Sequence, residues 1–161
     1  MATAIRAAGP EDAAVIRELI LALATLERKP DAVEVTAEEL AAQLAQTEPP
    51  FEALLGEVDG EVVGFALFFH SYSTWRGRRG LYLEDLFVRP SHRSRGLGTQ
   101  LMRELARIAV ERGCARMEWA ALDWNARAIA LYEALGAVPL SEWTTYRLTD
   151  DALQRLARSA S

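Results

Sequence analysis

The stretch Leu81-Tyr82-Leu83-Glu84-Asp85-Leu86-Phe87-Val88-Arg89-Pro90-Ser91-His92-Arg93-Ser94-Arg95-Gly96-Leu97-Gly98 runs from an apolar segment into a basic, glycine-containing loop. Residues 81–88 are rich in β-forming side chains around one acidic pair, which predicts a strand. From about residue 99 to 112, Leu101, Met102, Leu105, Ile108 and Ala109 recur at helical spacing, and Gly113 supplies the stop. Residues 116–121 predict a further strand. Strand, helix and strand then form a crossover with parallel pairing, which puts the glycine loop at a strand's carboxyl end and a helix's amino end. That geometry suits an anion, because the first N–H groups of a helix lack partners and its dipole is positive there.

The distribution of charge points the same way. Among 161 residues, 18 are Lys or Arg and 23 are Asp or Glu, a net charge of −5. This balance argues against a general binder of nucleic acid or anionic membranes. Arg supplies 17 of the cations and Lys29 the other. No acid occurs from Leu86 to Met102, where Arg89, Arg93 and Arg95 all fall, and Arg76, Arg78 and Arg79 precede them against Glu84 and Asp85. Gly96 and Gly98 leave out Cβ atoms where backbone must approach a phosphate. An ordinary left-handed turn entering a helix is the alternative, and the arginine cluster favours the anion. A dinucleotide loop would need a third glycine and a place in the first crossover. A Walker loop would need Gly followed by Lys, and the chain has no such pair.

Outward from this unit, residues 3–7 predict a short strand. Gly9-Pro10-Glu11-Asp12 opens a helix with apolar positions at Val15, Ile16, Leu19, Ile20 and Leu23. Thr36-Ala37-Glu38-Glu39 is a capping box before a second helix ending near Thr47. Residues 51–58 and 62–70 are apolar runs joined by Asp59-Gly60, a hairpin signal. Residues 71–79 read as a polar loop. Beyond the crossover, a helix is predicted over 126–135 with a stop at Gly136, then strands near 138–140 and 144–148, and a terminal helix from about residue 151. No repeat or linker divides the chain, so 1–161 is expected to be one domain, long enough to bury roughly two-thirds of its unfolded surface.

Composition removes several chemistries. Cys114 is the lone cysteine, which excludes an intramolecular disulfide and Cys-rich zinc sites, and it reads as a small buried thiol. His70 and His92 have no carboxylate at ligand spacing, so no metal is expected. Lys29 precedes Pro30 in a polar stretch, where nothing would activate it as a Schiff-base nucleophile. No apolar run approaches the ~20 residues of a membrane span, and the N-terminus lacks a signal peptide's apolar core, so a cytoplasmic location is expected.

Arg93-Ser94-Arg95-Gly96-Leu97-Gly98 fits an R/Q-x-x-G-x-G/A pattern, and Asn125-Ala126-Arg127-Ala128-Ile129-Ala130-Leu131-Tyr132 with Leu135-Gly136-Ala137 fits N-x-x-A-x-x-x-Y followed by "LGA". In this order they resemble the GNAT superfamily of N-acetyltransferases. Tyr72-Ser73-Thr74-Trp75, Leu81-Tyr82-Leu83-Glu84-Asp85 and Leu122-Asp123-Trp124-Asn125 resemble its diamine (spermidine/spermine) and thialysine acetyltransferases, with Ser73-Thr74 closer to the thialysine branch. The resemblance implies an α/β (α+β) fold with a mixed central sheet of about six to seven strands flanked by helices, its parallel pair splayed at the acetyl-CoA site.

It further implies direct acetyl transfer from acetyl-CoA to a primary amine, in a ternary complex and without a metal. Coenzyme A phosphates would lie on Arg93, Ser94, Arg95, Gly96, Leu97, Gly98 and Thr99, and pantetheine along Leu86, Phe87 and Val88, with Asn125, Ala128 and Tyr132 contributing. Glu84 matches the base, acting directly or through water. On a regular strand Glu84 and Asp85 point to opposite faces unless a bulge intervenes. Asp85 is divided between substrate binding and structure. Tyr132 matches the general acid, although a tyrosine among Ile129, Leu131 and Leu135 also reads as core. Glu27 matches a substrate-site acid or is a solvated helix-end charge. Trp75 either covers an alkylammonium or anchors its loop. Trp119 and Trp124 read as core or dimer contacts. A homodimer without nucleic-acid or membrane partners is implied. A protein or peptide substrate, or a silent acyl-CoA-binding module, are the competing readings.

Overall fold

Five strands form one sheet in the order β1-β2-β3-β4-β5. They are β1 (Thr3–Ala7), β2 (Glu52–Val58), β3 (Glu61–Ser73), β4 (Arg78–Val88) and β5 (Met117–Glu118). The computed structural model describes residues 2–93 and 95–159, in two compact units that meet in sequence at Asn125 and Ala126. The first unit holds the sheet with α1 (Ala13–Leu26), α2 (Ala37–Leu44) and α3 (Leu97–Glu111). The second holds α4 (Ala126–Ala134) and α5 (Asp150–Arg158). No helix among the described residues is long and apolar enough to cross a membrane.

Local signals set most of the joints. Asp59 and Gly60 take φ of 50° and 83°, the left-handed values that a tight turn from β2 to β3 requires. Thr36 accepts a hydrogen bond from the Glu39 N–H at 3.1 Å while the Thr36 N–H donates to Glu39 Oε1 at 3.1 Å, completing the capping box of α2. α1 and α2 cover one face of the sheet, where Ile16, Leu19 and Leu40 pack with Leu55, Phe65 and Phe87. The neighbour of Leu55, Gly56, faces the other side: a Cβ there would lie 3.1 Å from Leu97 of α3. Side-chain alternation along β2 thus sorts the helices into two layers around the sheet.

The crossover is present, since β4 and β5 pair in parallel through Leu81 with Met117 and Tyr82 with Glu118. Three sequence expectations are corrected. The polar loop expected over 71–79 is mostly hairpin, because Ser71, Tyr72 and Ser73 pair with Gly80, Arg79 and Arg78. Backbone pairing makes this ladder, and side-chain polarity does not prevent it. β5 is confined to Met117–Glu118 within the expected 116–121. Residues 138–140 and 144–148 are not strands, so the sheet has five strands, not six to seven. Alternating apolar residues such as Tyr146 and Leu148 mark strand-forming side chains, but a strand exists only where another backbone takes its N–H and C=O groups. The described residues of the second unit contain no strand to do so.

One carboxylate of the first unit is buried among hydrogen-bond donors. Asp12, 8% exposed, accepts hydrogen bonds from Arg6 Nη1 and Nη2 and from the Gly9 N–H, each at 2.9 Å. The Arg6 bonds, above all, hold its carboxyl below the usual carboxylate value. Asp12→Ala is expected to cost about 1–3 kcal/mol at pH 7. Because the native value lies below that of the unfolded chain, the contribution is present above about pH 4 and is lost as pH falls through the native value. Urea melts at pH 7 and pH 3 check it: the difference between parent and variant must shrink at the lower pH.

Candidate active site

β3 and β4 stay in register from the Gly64–Val88 pair to the Leu67–Asp85 pair, then shift so that Phe68 pairs with Leu83. Glu84 is the residue left over, a bulge in β4. The bulge breaks the simple alternation that would separate the two acids. Asp85 is partly buried, and its carboxyl is pushed up to about 6, by burial first and then by the negative charges of Glu84 and Glu27. Glu84 is exposed. Glu27, at the C-terminal end of α1, is partly buried, and burial raises its carboxyl too. The Tyr82 hydroxyl is likewise raised, by burial and then by Glu84 and Glu118. Strand and helix end thus meet in an acidic cluster, a place that favours a cation and resists gaining another negative charge.

The opposite charge lies at the end of the same strand. Gly96 caps α3 with φ of 79°, a left-handed value that favours glycine. The helix starts at Leu97, two residues before the expected Thr99, so Leu97, Gly98 and Thr99 form its first turn and their N–H groups lack intrahelical partners. Gln100 N–H is the first to bond back, to the Gly96 carbonyl at 2.9 Å. A Cβ on Gly96 would meet nothing within 4 Å, so the space before the helix is open. Arg93 donates from Nε to the Val88 carbonyl at 3.1 Å, and its guanidinium carbon lies 5.7 Å from the Phe87 ring centroid. These contacts tie the start of the loop to the end of β4. Arg95 is exposed beside Gly96. Ser94 lies outside the described residues.

Between the two charged regions the parallel pair parts. β5 pairs with β4 only as far as Tyr82, so Leu86, Phe87 and Val88 pair with β3 on one side and have no β5 partner on the other.

The remaining expected site residues are placed as follows. Trp75 is 86% exposed at the tip of the β3–β4 hairpin. The strand from Arg78 to Glu84 spans about 20 Å at ~3.3 Å per residue, so the chain does not bring Trp75 to the acids. Asn125 ends the first unit, and Ala128 and Tyr132 lie on α4 in the second. Trp124 is 47% exposed, which removes it from the core. Among the described residues no group of three His, Cys, Asp or Glu is placed to hold a metal. A groove of about 280 Å³ lined by Arg6, Glu104, Arg107, Glu111 and Arg112 lies on the α3–β1 side. Its Arg107 is paired to Glu104 and Glu111, so the groove offers little net charge to a ligand.

Two residues of this region escape sequence reasoning. Tyr82 sits one pair from the bulge in what reads as an ordinary strand. Arg28 rests its guanidinium carbon 4.2 Å from the Trp124 ring centroid, a contact between residues far apart along the chain.

The parting parallel pair, the basic helix start and the acidic bulge put an end suited to an anion and an end suited to a cation on one strand. Residues 18–137 match the Acetyltransferase (GNAT) family, and the chain belongs to that family: it is an acetyltransferase. It is 39% identical to a thialysine N-epsilon-acetyltransferase of Bos taurus over 95% of this chain and 96% of that one. An L-ornithine N5-acetyltransferase of Arabidopsis thaliana is 44% identical over 61% of this chain and 43% of its own length. Among solved structures, an integron cassette protein from the mobile metagenome of V. cholerae superposes with a TM-score of 0.82 over 99% of both chains, at 26% identity.

Proposed function

We propose that the protein transfers the acetyl group of acetyl-CoA directly to a primary amine of a small molecule, a thialysine-like amino acid or a diamine. The observation that carries this is the acidic cluster in which Glu27, at the end of α1, meets Glu84 and Asp85 on the strand that ends in the anion loop. The relatives named for thialysine and L-ornithine support an amine on a small molecule. The family match crosses the join between the two units, which supports one domain over 1–161. A cytoplasmic homodimer belongs to the same reading, and light scattering tests its dimeric part.

Acetyl-CoA, when bound, supplies an acetyl group already activated as a thioester. The N–H groups of Leu97, Gly98 and Thr99, with Arg93, Ser94, Arg95 and Gly96, would hold its phosphates. Leu86, Phe87 and Val88 would align its strand-like arm, and Asn125 and Ala128 enter on their motif. An alkylammonium has a pKa near ~10, so it arrives as a cation and must lose a proton before it attacks. Exposed Glu84 suits drawing the cation in. Asp85, with a carboxyl at about 6, is better matched to accept the proton near neutral pH, directly or through water. This division reverses the one the resemblance implies, with Glu84 as base. As the carbon–nitrogen bond forms and the carbon–sulfur bond breaks, Tyr132, on the strength of its motif, gives its proton to the leaving sulfur, and the second proton shed by the acetylated nitrogen restores the tyrosine hydroxyl through water.

A thiol-release assay with acetyl-CoA against thialysine, lysine, diamines, polyamines and peptides tests the reading. Turnover with peptides alone, or acetyl-CoA binding without turnover on any amine, overturns it. Tyr132→Phe is expected to lower kcat about 10²–10⁴-fold with little change in acetyl-CoA affinity. Unchanged single-turnover rates would remove Tyr132 from the chemistry.

A further inference from the structure

Arg28 occupies a backbone position that suits glycine. It follows Glu27 at the end of α1 with φ of 65°, and the Lys29 N–H closes the helix onto the Ala24 carbonyl at 2.8 Å. Glycine is the residue that takes this left-handed closing position without strain. A non-glycine residue held there by the chain invites a functional explanation in its side chain.

That side chain is held in a defined place. Its guanidinium lies over the ring of Trp124, 4.2 Å from the centroid, on the turn that precedes Asn125. A guanidinium carries five N–H donors, and contact with a ring face leaves donors over for a carboxylate. Among the described residues no ion pair or hydrogen bond involves the Arg28 guanidinium. Both residues are exposed. The preceding residue, Glu27, belongs to the acidic cluster, where its charge acts on Asp85. Consecutive residues at one helix end therefore present opposite charges, one toward the amine site and one pinned on Trp124.

We infer that Arg28, positioned by Trp124, receives the carboxylate of the substrate, so that the enzyme selects α-amino acids carrying a side-chain primary amine over diamines. The inference rests on the proposed amine acetylation at Glu27, Glu84 and Asp85. A diamine has a second cation where the amino acid has its carboxylate end, and the Arg28 guanidinium repels it. The planar fork gives a carboxylate two parallel charge-assisted hydrogen bonds. Trp124 is a positioning residue in this scheme, since it acts through Arg28.

The test compares kcat/KM for lysine, lysine amide and cadaverine, three amines that differ in the carboxylate, in the parent enzyme and in Arg28→Gly and Trp124→Leu. Arg28→Gly relieves the left-handed backbone, so its melting temperature serves as a check of folding and is expected to hold or rise. The parent is expected to prefer lysine to its amide and to cadaverine. In Arg28→Gly the lysine value is expected to fall about 10–100-fold through KM, on the scale of hydrogen bonds to a charged group, while the cadaverine value rises. Trp124→Leu is expected to shift the lysine-to-cadaverine ratio in the same direction by a smaller factor. An unchanged ratio in Arg28→Gly, or equal losses on all three amines, overturns the role of Arg28 and leaves amine acetylation standing. A parent enzyme that acetylates none of the amines overturns both.

Discussion

Asp85→Asn is expected to abolish most activity and at the same time to make the protein harder to unfold. The Asp85 carboxyl lies at about 6 in the native chain against an ordinary 3.8. Between these values the unfolded chain releases its proton first, so the native state binds more protons there. Stability therefore falls as pH rises from about 4 to about 6, and stays reduced above that. Asparagine keeps the shape and removes the ionisation, so at pH 7.5 the variant is expected to gain roughly 1–3 kcal/mol, and below pH 4 the gain vanishes. Thermal melts at pH 7.5 and pH 3.5 measure it. In the opposite direction, kcat/KM for the amine is expected to fall about 10²–10³-fold, since a positioned base contributes on that scale. The parent's kcat/KM is expected to rise with pH through an apparent value near 6, set by the cluster as a whole, and this limb is expected to be lost in the variant. A variant within about threefold of the parent, with the limb in place, excludes Asp85 from proton transfer.

The second large effect is expected at Gly96. Its φ of 79° makes any Cβ costly, by roughly 1–2 kcal/mol for alanine. Yet a Cβ there meets no protein atom within 4 Å, so the added atom enters only the open space before α3. Gly96→Val is accordingly expected to lower stability modestly and to weaken acetyl-CoA binding by at least tenfold, because its side chain stands where phosphate must approach the N–H groups of the first turn. Gly96→Asn separates the two effects. Asparagine tolerates left-handed backbone, so this variant is expected to melt close to the parent while still binding acetyl-CoA poorly. Calorimetric titration of both variants decides: full affinity in either would put the phosphates elsewhere.

Much of this molecule follows from short-range chemistry, and those parts were legible. The capping box at Thr36 and the Asp59-Gly60 turn each depend on residues within a few positions of one another, and the crossover follows from the order of its strand, loop and helix; each is present. The misread parts depend on distant partners. Polar residues 71–73 become strand because Arg78, Arg79 and Gly80 return alongside them. Residues 138–140 and 144–148 have strand-like side chains without a strand beside them in their unit. At the site, the identities of Glu27, Glu84 and Asp85 were legible from motif resemblance, but their coupling was not. The bulge arises from a register shift opposite Leu67 and Phe68, and nothing in the alternation of residues 81–88 announces it. The stacking of Arg28 on Trp124 joins two segments that no local pattern connects.

The parting of β4 from β5 has a consequence for solubility. For half its length β4 is an interior strand, and beyond Tyr82 it has no β5 partner and becomes the last paired strand of the sheet. Exposed edges invite other chains to pair with them, and proteins discourage this with bulges, inward charges and proline. All three stand along this stretch: the bulge at Glu84, the paired acids Glu84 and Asp85, and Pro90 just past the strand end. The features assigned to drawing in and deprotonating an amine thus also keep a foreign strand out of the slot. Neutralising Asp85 removes one of these deterrents even as it relieves a buried charge, so resistance to strand pairing and resistance to unfolding pull in opposite directions at this position.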